Sequence, residues 1–224
     1  MSDSVRGVQL CCWRGPRGKR TIFTMDPITL VTDRLLLRPA EPGDVDAVLA
    51  ACQDPGIQRW LPVPSPYGRE HAEEYVLKII PAGWREDRQY DLVLTDLESG
   101  ALVGSAGVGR TAGPEERVRS VGFWTAPGHR GQGYAGEAVA ALARWAFAEL
   151  GADRLEWLAQ VGNEGSRSVA RKAGFTMEGV LRSRLVHRGV RRDAWVASLL
   201  PSDLGLAPQV PYEARTARGA GAAG

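Results

Sequence analysis

A chain of 224 residues with 44% hydrophobic and 24% charged side chains has material for one globular domain, two at most, which excludes disordered and fibrous classes. No stretch approaches the roughly 18 uncharged apolar residues of a spanning helix, and 28 Lys and Arg against 26 Asp and Glu (net +2) make no bulk case for a nucleic-acid partner. Three Cys, with Cys11 and Cys12 adjacent, supply neither a disulfide framework nor a CxxC ligand pair, so the chain reads as reduced and cytoplasmic.

Residues 1–24 hold five basic groups (Arg6, Arg14, Arg17, Lys19, Arg20) against Asp3 alone, with no hydrophobic periodicity. Their longest apolar run, Val8 to Trp13, is too short for a signal-peptide core. The segment 1–27 reads as a disordered leader, with 1–24 upstream of a start at Met25 and a basic arm for an acidic partner as the alternative. The other end closes in RTARGAGAAG, and 208–224 reads as a disordered tail with nothing to bury. That leaves one domain at 28–207.

Within it, Leu35-Leu36-Leu37 predicts a short strand, and Pro42-Gly43-Asp44 opens a helix to about Cys52. A Pro/Ser/Gly loop at 62–68 precedes a helical pattern over 69–82 (Ala72, Tyr75, Val76, Ile79, Ile80). Three strands follow at Tyr90–Thr95, Ala101–Gly109 and Val118–Trp124, the first two joined in a hairpin at Glu98-Ser99-Gly100. A long helix is expected over 134–150, with Gly151 just past its end. Leu155, Trp157, Ala159 and Val161 alternate as a strand, a short helix at 164–173 ends at Gly174, and strands at 176–187 and 192–200 meet at Arg188-Gly189. The order β-α-α-β-β-β-α-β-α-β-β predicts an α/β (α+β) fold, a single domain with a mixed central sheet and helices on both faces. The strand–long helix–strand unit at 118–161 is its parallel heart.

The densest motif is Gly128-His129-Arg130-Gly131-Gln132-Gly133-Tyr134-Ala135-Gly136, between a strand and the long helix. Glycines at 131 and 133 let successive N–H groups turn into one concavity, and the helix N-terminus behind them carries partial positive charge. Arg130 adds a formal charge and a bidentate fork. Such a turn suits a phosphate or pyrophosphate held by main-chain donors. A plain tight turn is the bland alternative. Gly131, Gly133 and Gly136 also spell GxGxxG, but a dinucleotide fingerprint begins directly after the first buried strand and has an acid at the end of the next. Here Ala126 to Arg130 intervene, and the next strand ends in Gln160-Val161-Gly162-Asn163. No GxxxxGK[ST] occurs.

Arg130 to Ala135 resembles the Q/R-x-x-G-x-G/A loop of the GNAT acyltransferases. Three further blocks match in order: TDRLLLRP at 32–39, VGFWTAP at 121–127, and Asn163-x-x-Ser166 running into AGFTMEG at 173–179. With the closing DAWVASLL at 193–200 they are similar to the RimJ/RimL-like branch, over about 30–205. The resemblance implies an N-acetyltransferase with acetyl-CoA as cosubstrate and no metal. Its acceptor would be a primary amine, on a small molecule or a protein N-terminus. It implies neither membrane nor nucleic acid as partner, and leaves a homodimer open.

Carried over residue by residue, the resemblance has Phe123, Trp124 and Thr125 offering backbone groups to the pantetheine arm. The amides of Gly131, Gln132, Gly133, Tyr134, Ala135 and Gly136 hold the pyrophosphate beside Arg130. Asn163 bonds the pantetheine, and the Ser166 hydroxyl meets the coenzyme A sulfur. As a plain cap, Asn163 with Ser166 would satisfy free N–H groups instead. Many relatives place Tyr seven residues after that Asn to protonate the departing thiolate; here the position is Ala170, and Ser166 is the substitute.

The amine must lose a proton before it attacks, easier for an α-amino group (pKa about 8) than for Lys (about 10.4). The positions where relatives often carry a helping acid are Ser120, Leu158 and Leu185. Glu178, Glu156, Asp91 and His187 remain, with no choice among them, and Glu178 and Glu137 read more simply as structural. His71, His129 and His187 lack metal-ligand spacing. Cys52 reads as a buried small apolar residue. The acceptor pocket is expected between the loop Arg59–Tyr67 and the closing hairpin, whose Arg182, Arg184, His187, Arg188, Arg191 and Arg192 face only Asp193. That run is either a solvated face or a preference for acidic acceptors or acyl groups. A non-catalytic acyl-CoA-sensing module is the reading of another class.

Overall fold

The computed structural model describes residues 25–111 and 117–213. Residues 1–24 of the leader and 214–224 of the tail read as disordered lie outside the described residues, while Met25, inside the leader's stated bounds, packs against the main core. Strands β1 (Leu30–Val31), β2 (Leu35–Arg38), β3 (Gln89–Asp96), β4 (Leu102–Arg110), β5 (Val118–Thr125), β6 (Arg154–Gln160), β7 (Thr176–His187) and β8 (Val190–Leu199) form one sheet in the order β1-β2-β3-β4-β5-β6-β8-β7. The β5–β6 pair is parallel and the other pairs antiparallel. The mixed sheet is as expected, and so is its parallel heart: only a long crossover can join parallel neighbours, and helix α5 (Tyr134–Ala148) supplies it.

Strand alternation divides the packing. Tyr90, Leu92 and Leu94 turn to the face where α5 buries Val139, Leu142 and Trp145. Helices α1 (Val45–Cys52), α2 (Pro55–Trp60) and α3 (Arg69–Glu74) form a second cluster with Leu102 and Trp124. Between α3 and α4 (Ile80–Arg85) the chain widens into a π-helix at Tyr75–Ile79. Pro81 explains it: a ring without N–H clashes with the carbonyl four residues back, and a wider turn avoids the clash. Helix α4 then covers the part of β3 that β2 leaves unpaired. Trp84 donates from Nε1 to the Asp91 carbonyl (2.9 Å) and packs its ring on Tyr90, 4.9 Å between centroids.

Three elements differ from expectation. Helix α2 falls between the helix ending near Cys52 and the loop at 62–68, where the sequence patterns predict no element; Asp54 is its N-cap, the carboxylate accepting from the Ile57 amide (2.9 Å), with Pro55 at the first helical position. Strand β1 is two residues long, too short to show alternation. Helix α5 stops at Ala148 rather than 150, and the left-handed residue after it is Gly151 (φ +60°).

Candidate functional site

The glycine turn is a bare cradle. After β5, a single turn at Pro127–His129 leads to Gly131 (φ +78°) and Gly133 (φ +87°), the second being the N-cap of α5. Both lie in the left-handed region that favours glycine. The first amides of α5 have no acceptor within the helix. Those of Gly131, Gln132 and Gly133 have no backbone partner among the described residues. A Cβ on Gly128, Gly131 or Gly136 would meet nothing within 4 Å, so no side chain fills the concavity there.

The N-terminal TDR segment braces it from behind. Thr32 donates to Glu137 Oε1 at 2.6 Å, and Arg34 donates from its amide to Oε1 and from Nε to Oε2, at 2.9 and 2.8 Å. Arg34 Nη1 also reaches the Gln132 carbonyl at 2.9 Å. Burial pushes the Glu137 carboxyl up, but these donors outweigh it and hold it below the usual range. Glu137 is structural, as read. Tyr134, stacked under Arg34 at 4.8 Å, donates to Asp96 at 2.8 Å. Arg130, still part-exposed, pairs with Asp54, the cap of α2.

Beyond the cradle the sheet opens. Parallel pairing of β5 with β6 ends at Val121–Trp157, whereas β6 stays paired with β8 out to Gln160. Phe123, Trp124 and Thr125 remain bonded to β4 on their other side, which leaves the β6-facing edge of that segment unpaired. The result is a V whose mouth lies at the cradle and whose apex lies at Trp157.

Asn163 and Ser166 meet at this V, though not as a capping pair. Asn163 caps α6 (Glu164–Lys172), accepting from the Ser166 amide at 3.2 Å. The Ser166 hydroxyl caps nothing and accepts from Trp157 Nε1 at 3.0 Å. Ser166 is thereby tied to the residue where β5 and β6 part. Nothing in the sequence links Trp157 to it. Ala170, in the usual Tyr position, is fully buried.

On the far side of α2, a cleft of about 440 Å³ is lined by Pro55, Gln58, Arg59, Gln160, His187, Arg188 and Arg192. A second of about 500 Å³ adjoins it between Pro62–Ser65 and Val186–Arg188. Arg188 donates to the Gln58 carbonyl at 3.1 Å, fastening the hairpin to α2. The basic run therefore divides: Arg188 and Arg192 line the cleft, while Arg191 bonds the Ser183 carbonyl at 3.0 Å. Among the described residues no acidic side chain lines either cleft.

Two acids are spoken for. Arg154 grips Glu178 with Nη1 and Nη2 (2.9 and 2.6 Å) and Glu156 with Nε (3.0 Å). The Arg154 hydrogen bond, with one from Ser198, holds Glu178 well down, at about 2 against its ordinary 4.5. A lowered folded pKa contributes stability above the ordinary value and loses it as pH falls towards the folded one. Glu178→Gln should therefore cost about 1 kcal/mol of stability at pH 7 for a part-exposed pair, read as a lower Tm, with the difference closing as melts are run from pH 5 down to pH 2. Cys52 is buried as read, its thiol pushed up to about 11. Among the described residues no group of three His, Cys, Asp or Glu is placed to hold a metal, and no helix is long and apolar enough to cross a membrane.

Comparison with known proteins agrees with this layout. The GNAT acetyltransferase domain model matches residues 34–176. The uncharacterized N-acetyltransferase YoaA of Bacillus subtilis is 28% identical over 181 residues, 79% of this chain and 98% of its own length. YdaF of the same organism is 32% identical over 176 residues, covering 76% of this chain and 93% of its own. Among solved structures, Mycobacterium smegmatis RimJ in complex with CoA-disulfide shares the fold at a TM-score of 0.68, with 23% identity over 76% of this chain and 84% of RimJ. Loop, splayed strand and family match coincide along the same stretch of sequence, and the chain belongs to the acetyltransferases of the GNAT family.

Proposed function

We propose that this protein transfers acetyl from acetyl-CoA to a primary amine with acidic groups close by. The observation that carries the first half is the side-chain-free cradle at the N-terminus of α5, opening straight into the V beside β5. Its amides and Arg130 suit a pyrophosphate. The bare edge at Phe123–Thr125 suits the amide groups of a pantetheine arm, and Asn163 stands beside its path. Acetyl-CoA supplies an activated acyl carbon; the chain aligns it and brings the amine to it. The Ser166 hydroxyl, accepting from Trp157, keeps its own proton to offer a sulfur at the apex.

The second half rests on charge. Arg59, Arg188 and Arg192 converge on a cleft without an acid, a surface that favours carboxylates or phosphate on the acceptor. The experiment measures thiol release from acetyl-CoA with the tripeptides Ser-Glu-Glu, Ser-Ala-Ala and Ser-Lys-Lys. Highest kcat/KM for Ser-Glu-Glu is expected, and Arg192→Glu should raise its KM about ten-fold by placing like charge in the cleft. Equal rates on all three would leave the basic run a solvated face. Coenzyme A binding without thiol release on any amine would make the protein a sensor instead.

A further inference from the structure

Resting on the acetyl-transfer reading, the face of the sheet turned towards the π-helix identifies a group to accept the amine's proton. Glu178 and Glu156 are held by Arg154, but Asp91 is placed differently. On β3 it pairs with Gly107 of β4, which pairs in turn with Gly122 of β5. With no Cβ in between, its carboxylate lies flat over β4, so that a Cβ on Gly107 would meet Asp91 Oδ1 at 1.9 Å. Gln89 lies likewise over Gly109 and donates from Nε2 to Asp91 Oδ1 at 2.7 Å. The other oxygen, Oδ2, accepts no hydrogen bond from the described residues. Across this floor Gly122 is exposed, with nothing within 4 Å of where its Cβ would stand. Gly122 is also the first β5 residue past the last rung shared with β6.

Glycine inside a strand weakens it, and its presence marks a place where something must approach the backbone. Here Gly107 and Gly122 clear a path from a carboxylate to the apex of the V. A cofactor with its phosphates at the cradle, the mouth of the V, has its thin thioester end towards that apex.

We infer that Asp91, its carboxylate over Gly107, takes the proton from the acceptor's ammonium through a water lying over Gly122. The neutral nitrogen then attacks the thioester carbonyl carbon. The C–N bond forms and the C–S bond breaks, with its electron pair leaving on sulfur. A second amine proton goes to that sulfur, and Asp91 returns the first to solvent. Burial lifts the Asp91 carboxyl above the usual range, against the Gln89 hydrogen bond that lowers it, and so makes it a stronger base than an exposed aspartate. Of the surrounding elements, the π-helix brings Tyr75, β4 and β5 bring glycines on this rung with Ser105 and Ser120 on adjoining ones, and α4 brings only Trp84, on the main-chain carbonyl.

The test uses the full chain, acetyl-CoA and Ser-Glu-Glu, with thiol release followed from pH 6 to pH 10. At pH 7 Asp91→Asn should lower kcat/KM by about 100-fold or more while coenzyme A affinity holds. The defect should shrink to within about ten-fold by pH 10, because an α-amino group above its pKa of about 8 needs no base. A structural loss would not vary this way. Gly122→Val, which adds a side chain in open space on extended backbone, should lower kcat with coenzyme A affinity unchanged even if Asp91→Asn folds poorly. A defect constant across pH, wild-type rates in Asp91→Asn, or narrowing seen in His187→Gln instead would overturn Asp91 alone. A wild type that releases no thiol would overturn acetyl transfer and this role with it.

Discussion

Gly133→Val is expected to abolish measurable coenzyme A binding in calorimetry. Gly133 sits at φ +87°, where a branched side chain costs about 1–2 kcal/mol or more in backbone strain alone. Its Cβ would also lie 3.3 Å from Arg34 Nη2, in the brace that shapes the cradle. If the turn distorts so that two amides lose a phosphate, at about 1.5–3 kcal/mol for each bond to a charged group, affinity falls by more than 100-fold. Arg130→Ala removes one such contact and should cost about 1.5–3 kcal/mol. Gly128→Ala, whose added methyl meets nothing, is the control and should bind as wild type does. Undiminished coenzyme A binding by Gly133→Val would show that these amides do not hold the phosphates.

Ser166→Ala should reduce kcat and kcat/KM together by about ten-fold or more, with acetyl-CoA affinity little changed, as expected for an interaction made only in the transition state. It should also lower Tm. Trp157 is 1% exposed, and its indole N–H would lose its acceptor inside the protein, a cost of about 1–3 kcal/mol. Trp157→Phe separates the two effects, because it deletes the donor and keeps the hydroxyl. A large kcat loss in Ser166→Ala with a small one in Trp157→Phe, at similar Tm, assigns the chemistry to the hydroxyl. Unchanged single-turnover rates in Ser166→Ala would leave Ser166 as the acceptor for Trp157 and nothing more. A phenol engineered at Ala170 would first have to displace packed core, so it offers no simple rescue.

What the sequence made legible was local. Leu35 to Leu37, the alternation of Leu155, Trp157 and Ala159, and the glycines that break the chain after β5 each act within a few residues. Those elements appear where their patterns place them. Contacts between distant segments were not legible. Asp54 meets Arg130 across 76 residues, and Trp157 meets Ser166 from a different element. In both, nothing within a few residues in sequence points to the distant partner. The Arg154 clamp on Glu178 belongs with them, since a pair 24 residues apart leaves no periodicity to find. Asp91 was visible only as one of four candidate bases, beside Glu156, Glu178 and His187. It gained meaning from two glycines on neighbouring strands, which only the sheet register brings into line.

On the proposed function, the Asp54–Arg130 ion pair would make the two substrates parties to one equilibrium. Asp54 carries the N-terminus of α2, and Gln58 and Arg59 of the same helix line the cleft proposed for the amine. A diphosphate arriving at Arg130 competes with Asp54 for one guanidinium, and whatever it wins leaves a more exposed negative charge at the head of that helix. Linkage is reciprocal: if coenzyme A occupancy alters amine affinity by some factor, the amine alters coenzyme A affinity by the same factor. The order in which ligands bind and leave would then be set by a contact that neither the acyl group nor the attacking nitrogen touches.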